Sequence, residues 1–109
     1  MALICIRKAR VDYKSLTTVF TNFTRNTYGA DKKVELVDVG SDYKAIKVTG
    51  FSSLADIEKY MKDVNSKSFL TRDYARREHY MWAISEENLD KLMLKGEVQK
   101  YSDFYKSNY

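Results

Sequence analysis

Residues 33 to 49 carry the pattern of a β-hairpin. Lys33 to Val39 alternates charged residues with Val and Leu, Gly40-Ser41-Asp42 supplies a turn, and Tyr43 to Thr49 alternates again, with Ala45 and Lys47 opposite Ile46 and Val48. Successive side chains of a strand face opposite sides, so this pattern commits the chain to a sheet. The segments on either side of the hairpin then decide which kind of sheet.

Ala2 to Arg7 is a short apolar run with β-branched content, ending in the basic segment Arg7-Lys8-Ala9-Arg10, and reads as a first strand. Asp12 is placed to cap a helix in which Leu16, Val19, Phe20 and Phe23 recur at helical spacing, with Gly29 as its stop. Its Thr-rich sequence has mediocre helix propensity, so packing must hold it. After the hairpin, Ser53 and Asp56 form a capping-box-like pair opening a helix with Leu54, Ile57, Met61 and Val64 on one face. Residues 65 to 78 have no clean period and read as a connecting loop with a short turn of helix, anchored by Phe69 and Leu70. His79 to Ile84 is a fourth strand, with Tyr80 and Trp82 on one face and Met81 and Ala83 on the other. Ser85 caps a short helix through Leu92, Gly96 breaks it, and Glu97 to Tyr109 forms a last amphipathic helix using Val98, Tyr101, Phe104 and Tyr105.

The order is β-α-β-β-α-β followed by a helical tail. The expected fold is therefore α+β, a ferredoxin-like sandwich with a C-terminal helical tail: an antiparallel four-stranded sheet with both crossover helices on one face. Its opposite face is open unless the tail covers it.

The 109 residues suit one compact domain, and 44% hydrophobic with 14% aromatic residues suffice for a packed core. Residues 1 to 50 hold nine basic and five acidic side chains, while residues 51 to 109 hold ten of each. The excess of +4 is thus mild and interleaved with acids, unlike the dense basic stripe of a nucleic-acid binder. The lone Cys5 cannot form an internal disulfide, and one Cys with one His makes no zinc set. No stretch approaches the roughly 20 apolar residues of a membrane span. Met1 leads straight into a strand, so residues 1 to 109 are expected to be one domain excised from the C-terminal part of a longer protein.

Catalytic machinery and cofactor sites are not visible. His79 has no nucleophile or acid that spacing identifies as its partner. Glu86-Glu87 and Asp56/Glu58 sit in first helical turns, where they meet the positive end of the helix dipole. Gly29, Gly40, Gly50 and Gly96 are each isolated at an element boundary and cradle no phosphate. The strands also lack the paired aromatic motif of RNA-recognition sheets, so no nucleic-acid partner is expected. Asn22-Phe23-Thr24 fits a glycosylation sequon, but Phe23 faces the core.

Aromatic residues gather toward the C-terminus: Tyr74, Tyr80, Trp82, Tyr101, Phe104, Tyr105 and Tyr109. Aromatics with polar tips suit binding surfaces and equally suit a helix packed over a sheet. Arg72, Arg76 and Arg77 lie beside them and suit an acidic partner, with Asp73 and Glu78 diluting the charge. Arg72, Tyr74, Arg76, Arg77, Tyr80 and Trp82 are the candidate interaction surface.

Asp42-Tyr43-Lys44-Ala45-Ile46-Lys47-Val48-Thr49-Gly50-Phe51, Ile57-Glu58-Lys59-Tyr60-Met61, Ala83-Ile84-Ser85-Glu86-Glu87-Asn88 and the ending from Glu97 through Tyr101, Phe104 and Tyr105 to Tyr109 carry a family likeness. Together with Asn22-Phe23 they resemble the C-terminal domain of the large tetratricopeptide-repeat lipoproteins of Bacteroidota, the PorW/SprE type linked to type IX secretion and gliding. The likeness spans nearly the whole chain and departs at residues 65 to 78, whose arginines have no counterpart. It implies a non-catalytic module of a periplasmic protein, held at the outer membrane by an upstream lipid anchor. Its partner would be another envelope protein or the rest of its own chain. Tyr43 to Phe51 is also similar to the "Tyr-x-Val-x-Val-Gly-x-Phe" strand of SPOR domains, which share this element order and bind peptidoglycan glycan strands on the sheet. That likeness implies a glycan-binding alternative.

Overall fold

The hairpin forms as its alternation requires. β2 (Lys33–Val39) and β3 (Tyr43–Thr49) pair antiparallel from Lys33 opposite Thr49 to Val39 opposite Tyr43, and Gly40 turns the chain at a φ of 61°. β1 (Ala2–Arg7) joins the other side of β3, and β4 (His79–Ala83) pairs with β1. The result is an antiparallel four-stranded sheet in the order β2-β3-β1-β4. The computed structural model describes the backbone of residues 1–8, 12–72, 74–95 and 98–108, and their side chains apart from those of Leu94, Lys95, Gln99, Phe104, Lys106, Ser107 and Asn108. Five helices pack on this sheet among the described residues, making the fold α+β.

α1 (Tyr13–Tyr28) begins where expected, with Asp12 Oδ1 accepting the Ser15 N–H at 3.0 Å, and ends at Gly29. α2 (Leu54–Ser66) begins at Ser53, whose Oγ accepts the Asp56 N–H at 3.2 Å. Both helices lie on one sheet face. There Leu16, Phe20 and Phe23 of α1 and Ile57, Tyr60 and Val64 of α2 cover Ala2, Ile4, Ile6, Ile46, Val48 and Ala83. Each of the Leu, Ile, Val and Phe side chains stabilises the fold by about 2 kcal/mol on burial. Leu54 departs from the expected apolar face and is 47% exposed. Tyr60 takes its place because the contact stripe runs through residues 57, 60 and 64, centred about a quarter turn around the helix from Leu54.

The connection after α2 holds the short helical turn its sequence suggests. α2 continues to Ser66, and a short α3 (Ser68–Thr71) follows. Leu70 is buried here as expected, whereas Phe69 is 49% exposed rather than an anchor. On a helical turn, adjacent residues point about 100° apart, so one of the pair must face outward.

The second sheet face is covered too. α4 (Glu86–Lys95) starts at Ser85, whose Oγ accepts the Asn88 N–H at 3.2 Å, and runs past the expected end at Leu92. α5 (Val98–Asn108) follows. Leu89, Leu92 and Val98 are buried against Leu3, Cys5, Val39, Tyr43, Ala45, Trp82 and Ile84, with Tyr101 and Tyr105 packed beside them. Lys47 on β3 reaches the first turn of α4, pairing with Glu86 at 3.1 Å. The hairpin turn is tied to the same helix by the Gly40 N–H, which donates to the Met93 carbonyl at 3.2 Å. Gly96 as a helix breaker, and Phe104 and Tyr109 as packing residues, lie outside the described residues and side chains.

Candidate functional site

The segment joining α3 to β4 carries most of the candidate residues. Backbone hydrogen bonds keep it in successive turns: Leu70 and Thr71 N–H to Lys67, Arg72 N–H to Ser68, Tyr74 and Ala75 N–H to Thr71, and Arg77 N–H to Tyr74. Leu70 and Tyr74, four residues apart, therefore point the same way and are both buried. Arg72, Arg76 and Arg77 are exposed, as a binding surface requires.

Two of the six candidates need correcting. Tyr74 is 1% exposed, its ring edge-on to His79 at 5.1 Å and tilted against Phe20 at 6.4 Å. Trp82 is 2% exposed because α5 lies over it, with the Tyr101 ring T-shaped at 4.8 Å. Neither belongs to a surface; both fill cores. Tyr80 is half-buried and stacks on Trp82 at 5.4 Å with 15° between the rings. Phe69 is the aromatic that the segment presents instead. Its signal was available in the helical phase, since Leu70 and Tyr74 together mark the inward side.

Glu78 organises the sheet end beside this segment. Its Oε2 accepts hydrogen bonds from Tyr43 Oη and, at 3.0 Å, from Tyr80 Oη, while Oε1 lies 3.6 Å from the Arg7 guanidinium. The hydrogen bond from Tyr43 is the main reason the Glu78 carboxyl is held below the usual carboxylate range. Burial, and then the bond to Glu78, push the Tyr43 phenol up to about 12. A low carboxylate pKa and high phenol pKa values keep each group in its ordinary protonation state near neutral pH, and the cluster ties the ends of β1, β3 and β4 together. Burial likewise pushes the Cys5 thiol up to about 12, which suppresses its thiolate. His79 Nδ1 lies 2.8 Å from the Arg77 carbonyl. Among the described residues no three His, Cys, Asp or Glu side chains gather to hold a metal ion, and no helix is long and apolar enough to cross a membrane.

The outer edge of β2 has no strand partner among the described residues. Beside it a groove of about 370 Å³ is lined by Lys14, Thr17, Thr18, Thr21, Asn22 and Leu36. Thr17, Thr18 and Thr21 donate their hydroxyls to carbonyls one turn back, at 2.7, 3.0 and 2.8 Å. The far edge of the sheet is treated differently, for the β4 Ala83 N–H reaches Tyr105 Oη at 3.4 Å. Comparison of the chain with protein-family models, curated proteins and solved structures gave no match.

Proposed function

We propose that this chain is a ferredoxin-like domain serving as a non-catalytic protein-interaction module. The antiparallel order β2-β3-β1-β4, with helical crossovers after β1 and β3, supports the ferredoxin-like reading. The observation that carries the functional reading is burial on both faces of the sheet, which leaves recognition to the exterior. There the exposed Phe69, Arg72, Arg76 and Arg77 share one short segment. Aromatic and arginine side chains are the residues that most often anchor protein interfaces.

The setting in a bacterial envelope lipoprotein, with the periplasm as location and a type IX secretion-associated role, rests on the resemblance of the hairpin, the second helix and the terminal aromatic stretch. The SPOR-like glycan-binding alternative rests on Tyr43 to Phe51. It requires an open sheet face, and α5 lies over Trp82 on that face. Two measurements separate the readings. A photo-crosslinking residue placed at Arg76 in the full-length protein in cells should trap a discrete protein adduct that the same residue at the exposed Glu58 of α2 does not. Purified peptidoglycan strands should leave the Trp82 fluorescence and the Tyr80 amide unmoved. Saturable shifts of both, with no adduct specific to Arg76, would replace the interaction reading with glycan binding.

A further inference from the structure

We propose that the outer side of the segment between α2 and β4 docks an acidic protein segment bearing an apolar anchor. This rests on the interaction-module reading and names the class of its partner. Leu70 and Tyr74 fix the inner side of the segment in the core, at 0% and 1% exposure, so the outer side is presented without first having to be ordered. Phe69, Arg72, Arg76 and Arg77 are all exposed within nine residues of a segment that backbone hydrogen bonds hold in turns. Phe69 is 49% exposed, with its ring edge-on to Phe23 at 6.1 Å, so a partner's apolar group completes a contact the core has begun.

The charge around Phe69 points the same way. Two carboxylates that flank the segment in sequence, Asp63 and Glu78, are already engaged by the fold. Asp63 accepts the Tyr28 hydroxyl at 2.8 Å and pairs with Lys67 at 3.5 Å, while Glu78 is taken by Tyr43, Tyr80 and Arg7. Arg76 and Arg77 remain exposed, and Asp73 lies outside the described residues. A guanidinium matches a carboxylate in a two-point hydrogen bond and is weakly hydrated, so carboxylates flanking the apolar anchor are the complementary chemistry.

The probe is a synthetic peptide alternating Glu and Asp with Leu and Phe, titrated into the isotope-labelled full chain beside its Gln/Asn isostere. The acidic peptide should give saturable amide shifts centred on Ser68 to Arg77, and the isostere should bind about tenfold more weakly or worse. Arg76→Glu with Arg77→Glu should abolish the shifts, and Phe69→Ala should weaken binding by about tenfold. All three side chains are exposed, so an unchanged spectrum elsewhere certifies folding. Equal binding of the isostere, shifts centred on β2 or on Tyr80, or equal displacement by inorganic phosphate would overturn the proposal. If peptide binding fails while the adduct at Arg76 persists in cells, the partner class is wrong and the module reading stands. Failure of both sinks the module reading as well.

Discussion

Tyr60 and Tyr74 are both buried in the first core, and they differ in what their hydroxyls meet. Tyr60 Oη lies 2.7 Å from Thr24 Oγ1, whereas the buried Tyr74 hydroxyl has no protein partner among the described residues. An unsatisfied buried hydroxyl forfeits its hydration, so Tyr74→Phe should leave stability unchanged or raise it by up to about 1 kcal/mol. Tyr60→Phe strands Thr24 and should cost about 1 kcal/mol. Urea denaturation of the two variants beside the parent checks both signs. The same residues set an alkaline limit. Burial pushes Tyr60 up to about 12, and Tyr28 and Tyr43 also stand at about 12, while tyrosine in the unfolded chain ionises near 10. The unfolded state therefore loses its protons first, and stability is full below about pH 10 and falls as pH rises toward 12. Tyr60 alone contributes a loss of roughly 2 to 3 kcal/mol over that window. Urea midpoints measured from pH 8 to 11 should fall only above 10, and less steeply in Tyr60→Phe.

At the level of the element, legibility followed the strength of the local signal. The caps at Asp12, Ser53 and Ser85 and the hairpin turn at Gly40 were readable because each depends on a side chain or a φ angle within a few residues. Covering of the second sheet face is less legible, and β1 carries its clue. Leu3-Ile4-Cys5-Ile6 is continuously apolar, and a strand that does not alternate is buried on both sides. Residues 65 to 78 read as a loop with one short helical turn, and α3 is that turn; Leu70 and Tyr74 are too short a stripe to signal more. Residue type alone does not tell a surface tryptophan from a buried one, and the burial of Trp82 depends on the distant α5. β2 shows a further device. Its open outer edge carries the Lys33–Glu35 ion pair at 2.7 Å, and charge on an edge discourages pairing with another chain. Replacing both with Val should cause concentration-dependent self-association, visible in sedimentation velocity. Sedimentation of the double variant indistinguishable from the parent at every concentration would show that the charges do not guard the edge.

Across the whole molecule, two helical layers enclose one sheet, and the proposed recognition surface therefore lies on the exterior. The first layer forms a core with Phe20, Phe23, Tyr60 and Tyr74; the second closes the other face through Leu89, Leu92 and Val98, with Tyr101 set against Trp82. With both faces filled, Phe69 and Leu54 are the large apolar side chains left exposed among the described residues, and Phe69 has exposed arginines in its own segment. Trp82 is the single tryptophan of the chain, so its fluorescence reports the closure without interference. In the intact protein its emission should be blue-shifted and weakly quenched by acrylamide, and a chain ending before Val98 should show a red shift with stronger quenching. Solvent-like emission and free quenching of Trp82 in the intact chain would mean that the sheet face is open, and recognition would then have to be placed there.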